Sequence, residues 1–244
     1  EAYKEIPSIS IEDNLFSWIT GTINEFFESE NYNSGKRDLE ILSYRKGLFG
    51  RDTLTLEEIG IIFGNITRER VRQLENRAFN NLSELLTTGV NESMNIKLEQ
   101  HDFEILSDLK YGLNDLDKII DEEELVNHIT DYFSIINVEI NTLRLLLEIF
   151  DFNPILFEDA NGKPYYVWAK EEINTKKIKK IVNEIVNYLQ TAIIPKTLHE
   201  IILAINKHKK MSSRYSIDEF EQAIAIWKDI ERLSDNAYQI NYAH

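Results

Sequence analysis

Apolar residues recur at three- and four-residue spacing along most of the chain, the period of amphipathic helices. In residues 11–30, Leu15, Trp18, Ile19, Ile23, Phe26 and Phe27 fall on one stripe and predict a helix, which the NYNSG run at 31–35 ends. A second helix is predicted over 37–48, with Leu39, Leu42 and Tyr44 inward, before an FGRDT turn. Thr55 stands three residues before Glu58, the capping-box spacing, so a short helix begins near Leu56 and runs through Ile59, Ile62 and Phe63. Gly64 and Asn65 end it. Thr67 is placed to cap the next helix, which reaches about Leu86.

Residues 91–105 read as a polar linker followed by a new helix. After that an architectural pattern occurs twice. DEEELVNHITDYF, NTLRLLLEIF and PILFEDANGKPYYVWAK give two helices and a β-hairpin turning at Asn161-Gly162. KKIKKIVNEIVNYLQ, TLHEIILAINKH, SIDEFEQAIAIWKDI and ERLSDNAYQINY give helices and a second hairpin with an SDN turn. Helices followed by a hairpin describe a winged helix. The expected fold is therefore mostly α, in three blocks: an N-terminal helix with a two-helix module over 1–90, and winged-helix-like units over 91–170 and 171–244.

The helix after Thr67 carries the most specific pattern. At 3.6 residues per turn, Val71, Leu74, Ala78 and Leu82 share one stripe and can pack inward. Arg68, Glu69, Arg72, Gln73 and Asn76 share the opposite face, flanked by Arg70 and Arg77. Such side chains suit base edges: Arg bridges guanine N7 and O6, Gln pairs with adenine, and Glu accepts from cytosine N4. A short helix, a tight turn and a polar, arginine-rich second helix make a helix-turn-helix.

The stretch LTLEEIGIIFGNITRERVRQLENRAFNNL, 54–82, resembles region four of the primary bacterial RNA polymerase sigma factors, where a TLEEIG…FG…TRERIRQIE…AL…L pattern binds the minus-35 promoter element. RDLEILSYRKGLFG, 37–50, resembles the first half of that region. The resemblance covers about residues 37–86 and implies a role in transcription. It also implies that Arg68, Glu69, Arg70, Arg72 and Gln73 face the major groove. By the same resemblance Arg77 lies near phosphates, and Thr55, Leu56 and Glu57 lie near the backbone at the start of the supporting helix. Two departures stand out. The GNIT turn has one residue more than the usual GVT, and NNLSEL replaces a basic RKLR, removing charges that would meet phosphates. Nothing resembles the sigma regions that bind the polymerase clamp or melt the minus-10 element.

Charge refines this picture. The chain's formal net charge is −15, which argues against nonspecific coating of nucleic acid. Yet residues 36–84 hold nine basic and eight acidic side chains. The candidate module is therefore locally balanced. Two later basic clusters, NTKKIKK at 174–180 and NKHKKMSSR at 206–214, read as solvated helix ends and loops. The third helix of the second repeat presents Asp218, Glu219 and Glu221, which phosphates repel, and that of the first is almost wholly apolar. Both repeats are therefore expected to serve protein interaction. With no cysteine, five scattered histidines and no phosphate-cradling glycine loop, neither catalysis nor a metal or cofactor site is expected. DEEEL at 121–125 reads as an acidic helix start. The expected partners are double-stranded DNA and RNA polymerase or another protein subunit. A small module binds weakly alone, so homo-oligomerisation or a second DNA-binding partner is also expected. No apolar run reaches the ~20 residues a membrane span needs, and the expected location is cytoplasmic.

Overall fold

The computed structural model describes residues 3–5, 15–114, 119–133, 137–159, 162–170, 173–233 and 236–241. In chain order these form β1 (Lys4–Glu5), α1 (Leu15–Glu28), α2 (Gly35–Lys46), α3 (Leu56–Ile62), α4 (Arg68–Thr88), β2 (Val90–Asn91), β3 (Ile96–Lys97) and α5 (Gln100–Asn114). There follow β4 (Ile119–Asp121), α6 (Glu122–Phe133), α7 (Ile140–Ile149), β5 (Asn153–Glu158), β6 (Pro164–Ala169) and α8 (Thr175–Thr191). The chain then runs through β7 (Lys196–Thr197), α9 (Leu198–Asn206), α10 (Ile217–Ile226), β8 (Ile230–Arg232) and β9 (Ala237–Ile240). Helix dominates, as the periodicity predicts. No helix among the described residues is long and apolar enough to cross a membrane.

Two compact units divide the chain. One holds residues 1–115 and 126–151, the other 116–125 and 152–244. The division does not fall at residues 90 and 170, and pairing explains why. Residues 119–121 form β4, an edge strand of a sheet ordered β4-β6-β5, so they belong with the hairpin of the second unit. Leu143, Leu145, Leu146 and Leu147 of α7 are all fully buried, and α7 packs against α1, α2 and α4 in the first unit.

In the first unit the predicted stripe of α1 is buried throughout, from Leu15 to Phe27. Each such side chain contributes about 1.5–3 kcal/mol by leaving water. In α2, Ile41 and Leu42 are buried and Leu39 is only half-buried. The stretch from Asn91, expected as a polar linker, is instead folded. β2 and β3 form a hairpin, and β1 joins β3 in parallel. Asn91 is fully buried. Its amide donates to the carbonyl of Asn81 on α4 (2.9 Å), and its Oδ1 accepts from the backbone N–H of Met94 (2.9 Å). A polar side chain here closes a turn rather than solvating a linker.

The second unit centres on Phe157, Val167, Ile181, Ile185 and Phe220, all buried. Its second sheet is ordered β7-β9-β8. Along the chain, helix, strand, two helices and a hairpin occur twice, from α5 to β6 and from α8 to β9, each with the first strand beside the last. Of the two turns that the sequence predicts, Asn161 in one and Ser234 and Asp235 in the other lie outside the described residues. Gly162 takes φ +78°, a left-handed turn conformation that glycine adopts without strain. Asp121, read as part of an acidic helix start, caps α6 by accepting the backbone N–H of Glu123 at 2.9 Å.

Candidate nucleic-acid interface

The candidate interface is built on α3 and α4. Thr55 caps α3 as its sequence spacing predicts. Its Oγ1 accepts from the Glu58 N–H, and the Glu58 carboxylate accepts from the Thr55 backbone N–H at 2.8 Å. That hydrogen bond from the Thr55 backbone, with a second from its hydroxyl, holds the Glu58 carboxyl below its usual range. Thr67 caps α4, its Oγ1 accepting from the Arg70 N–H at 3.2 Å.

Between the two helices Gly64 (φ +87°) and Asn65 (φ +59°) both take left-handed conformations. Asn tolerates this better than other non-glycine residues. The turn then closes tightly, with the Ile66 N–H donating to the Gly60 carbonyl at 3.0 Å. A Cβ on Gly60 would lie 2.5 Å from the Ile66 carbonyl oxygen, so only glycine lets the turn fold back on α3. Ile41, Ile59, Val71 and Leu74 form the small core beneath, with Leu54, Leu56, Phe63 and Ile66 packed at its edge.

The longer turn leaves the rotation of α4 as the sequence predicts. Val71, Leu74, Ala78 and Leu82 are buried, while Arg68, Glu69, Arg70, Arg72, Gln73 and Asn76 are exposed. The outward side chains are bound to each other. Arg72 donates two hydrogen bonds to Glu69, at 2.9 and 2.7 Å, and Gln73 donates to the same carboxylate at 3.3 Å. Arg70 donates to Gln73 (3.3 Å), and Arg68 pairs with Glu57 across the turn (3.4 Å). Hydrogen bonding from Arg72 holds the Glu69 carboxyl below its usual range and raises Arg72 further above neutrality. Every pair is solvent-exposed, so each is weak and can exchange for a base or phosphate at small cost.

The residues that the resemblance places near the backbone divide into three kinds. Glu57 is exposed and pairs with Arg68, Thr55 is exposed but occupied as a cap, and Leu56 is half-buried against the small core. Arg77 is committed elsewhere. It donates to both oxygens of Asp38 on α2, with Nη2 to Oδ1 at 2.7 Å and Nε to Oδ2 at 3.0 Å. Asp38 is fully buried, while the Arg77 side chain is 40% exposed. Tyr32 and Ser34, just before α2, also donate to Asp38, and Asn81 of α4 donates to the Tyr32 hydroxyl. Hydrogen bonding to Asp38 raises Arg77, and burial pushes the Tyr32 hydroxyl far above its ordinary range. Other cations of the segment also face inward. Arg45 binds Glu75 and the Leu54 carbonyl, and Lys46 binds Glu148.

The sequence does not single out Asp38, one of the eight acidic residues of 36–84, or Tyr32, which falls in the predicted helix break. A signal was present in part: Arg77 follows Val71, Leu74 and precedes Ala78, so it borders the inward stripe.

Residues 36–84 match the family model described as Sigma-70, region 4. That span holds α3, nearly all of α2 and most of α4, so this segment carries a helix-turn-helix similar to the DNA-binding one of that region. No solved structure matches the chain.

Proposed function

We propose that the chain binds a short duplex element sequence-specifically through α3 and α4, and acts in transcription regulation in the cytoplasm. The observation that carries this is the face of α4. Arg68, Glu69, Arg70, Arg72 and Gln73 are exposed together on a helix whose opposite stripe is buried, seated by a turn that only Gly60 permits. These groups match the donor and acceptor patterns of the major groove. The helix-strand-helix-helix-hairpin orders support reading two winged-helix-like units that engage a protein partner, RNA polymerase or another subunit. A small module with few phosphate contacts needs such help, or a second copy, to hold DNA. The reading is that of a binding protein rather than an enzyme.

Selection of bound sequences from a random duplex pool, at two salt concentrations, tests it. The wild type is expected to enrich one sequence, and Arg68→Ala/Arg72→Ala to lose it. Absence of enrichment at low salt removes the proposal.

A second reading draws on one observation. Arg68 and Arg72 are paired to Glu57 and Glu69 of the same surface, and Arg77 is held by Asp38. A protein interaction subunit that keeps this fold without reading DNA would show the same self-neutralised face. The selection experiment separates the two.

A further inference from the structure

The two basic clusters that the sequence separates by 26 residues are brought together in the second unit. Residues 174–184 and 206–216 hold eight lysines and arginines against one acidic residue, Glu184, in a chain of net charge −15. The first segment is the N-terminal half of α8, and the second is the turn from α9 to α10. Glu184 ties them. It accepts from Lys209 Nζ (2.7 Å) and from the Tyr215 hydroxyl (2.9 Å), so the turn lies along α8. Lys177 of α8 pairs with Glu219 at the start of α10, fixing the other end. Asn206, through its side chain, donates to the Tyr215 carbonyl and accepts its N–H, which closes the turn on itself.

Of the remaining six cations, Lys179 lies over the Phe157 ring and the other five are left outward. Lys176, Lys180, Lys207, Lys210 and Arg214 are exposed, and none of them has a carboxylate partner among the described residues. Lys176 and Lys180 are one helical turn apart, and Asn183 and Asn187 continue the same exposed stripe with amide donors. Lysines in the first turns of a helix add to the positive end of its dipole, so helix and side chains build one field of one sign.

We infer that this surface of α8 and the α9–α10 turn grips the phosphate backbone of a nucleic-acid duplex. Lysine is depleted from the cores of protein interfaces, and this surface is made of lysine. Phosphates, by contrast, reward clustered Lys and Arg through counterion release, and are contacted by amides as well. Tyr215 points inward against Phe220, so the surface presents cations and amides rather than a stacking platform for unpaired bases. The site takes backbone without reading sequence. It does not use α10, whose acidic residues exclude the usual third-helix approach. The inference stands apart from base reading by α4.

The test uses the full chain and a duplex of about 30 base pairs and arbitrary sequence, its affinity followed over a salt series. The variant K176Q/K180Q/K207Q/K210Q/R214Q is expected to lose at least about tenfold in affinity at low salt and to show a log–log salt slope shallower by at least about two. The charge-keeping variant K176R/K180R/K207R/K210R/R214K is expected to retain both. Unchanged affinity and slope in the first variant overturn the inference. So does an equal loss in the charge-keeping variant, which marks a structural role. Displacement of the duplex by polyglutamate as effectively as by a second duplex also overturns it, in favour of an acidic protein partner. Arg68→Ala/Arg72→Ala loses sequence enrichment while keeping the patch-dependent slope, so failure of either surface is seen separately.

Discussion

At the scale of residues, the pair Asp38–Arg77 decides how a cation next to the exposed face of α4 is used. Asp38 is fully buried and takes donors from Arg77, Tyr32 and Ser34. Removing Arg77 takes away the two-oxygen partner of that carboxylate and leaves it Arg37, farther off at 3.5 Å and 44% exposed. Breaking a buried pair costs about 3–5 kcal/mol, and the low end applies because Arg77 is 40% exposed. Arg77→Ala is therefore expected to lose about 3 kcal/mol in denaturant unfolding, and to leave the salt slope of DNA binding unchanged. A phosphate contact would do the reverse, with little loss of stability and a slope shallower by about one. The resemblance alone gives the second expectation and the structure supports the first. The sequence could not distinguish them, because a buried aspartate at position 38 looks like any of the eight acidic residues of its segment. Its burial depends on Tyr32 and Asn81, which are brought to it by tertiary packing.

At the scale of elements, the helices announced themselves and the short strands did not. The stripes of α1 and α4 and the cap of α3 follow from spacing of apolar residues and from Thr55 and Glu58. β2 and β3 have two residues each, too few to show alternation, so the polar letters around Asn91 read as linker. The patch on α8 and the α9–α10 turn was divided in the sequence for a similar reason: Glu184, which joins its halves, carries no mark of its partner. The α3–α4 turn is the element whose chemistry is narrowest. Gly60→Ala adds helix propensity of about 0.8–1 kcal/mol in α3. It also drives a Cβ to 2.5 Å from a backbone oxygen that side-chain rotation cannot relieve. The clash is expected to win, with a net loss of about 1–2 kcal/mol by the overpacking range. Thermal unfolding and sequence enrichment should both suffer. A stabilised variant would show that the turn can open without loss.

At the scale of the whole molecule, charge is distributed by task. The chain is strongly acidic, the α3–α4 module is balanced by pairs on its own surface, and one face of the second unit is basic. Acid sensitivity follows from the carboxylates that fold into hydrogen bonds. Glu58 and Glu200 accept backbone and side-chain hydrogen bonds from Thr55 and Thr197, Glu69 accepts from Arg72, and all three are lowered from the 4.5 of a free glutamate. A lowered carboxyl stabilises the fold above its unfolded value and loses that contribution as pH falls through its folded value. The melting temperature is thus expected to be flat near neutrality and to drop below about pH 4.5. The drop should be shallower in Glu58→Gln/Glu200→Gln, measured by circular dichroism, and an equal drop in both proteins would place the acid lability elsewhere.

The long fourth helix has a further consequence as a lever. Its 21 residues span about 31 Å, and Arg68 stands about 13 Å beyond Arg77 along the axis. Its stem is clamped by Asp38 and by the Tyr32–Asn81–Asn91 relay, and its tip carries the arginines. A tilt of only about 5° about Arg77 would move the tip by roughly 1 Å, enough to take a hydrogen bond of 2.9 Å beyond useful length. Under the proposed reading of bases by α4, the angular tolerance of recognition is set at the clamp, by side chains at the far end of the lever. On that proposal, loosening Tyr32 or Asn91 is expected to blur recognition while leaving every arginine in place.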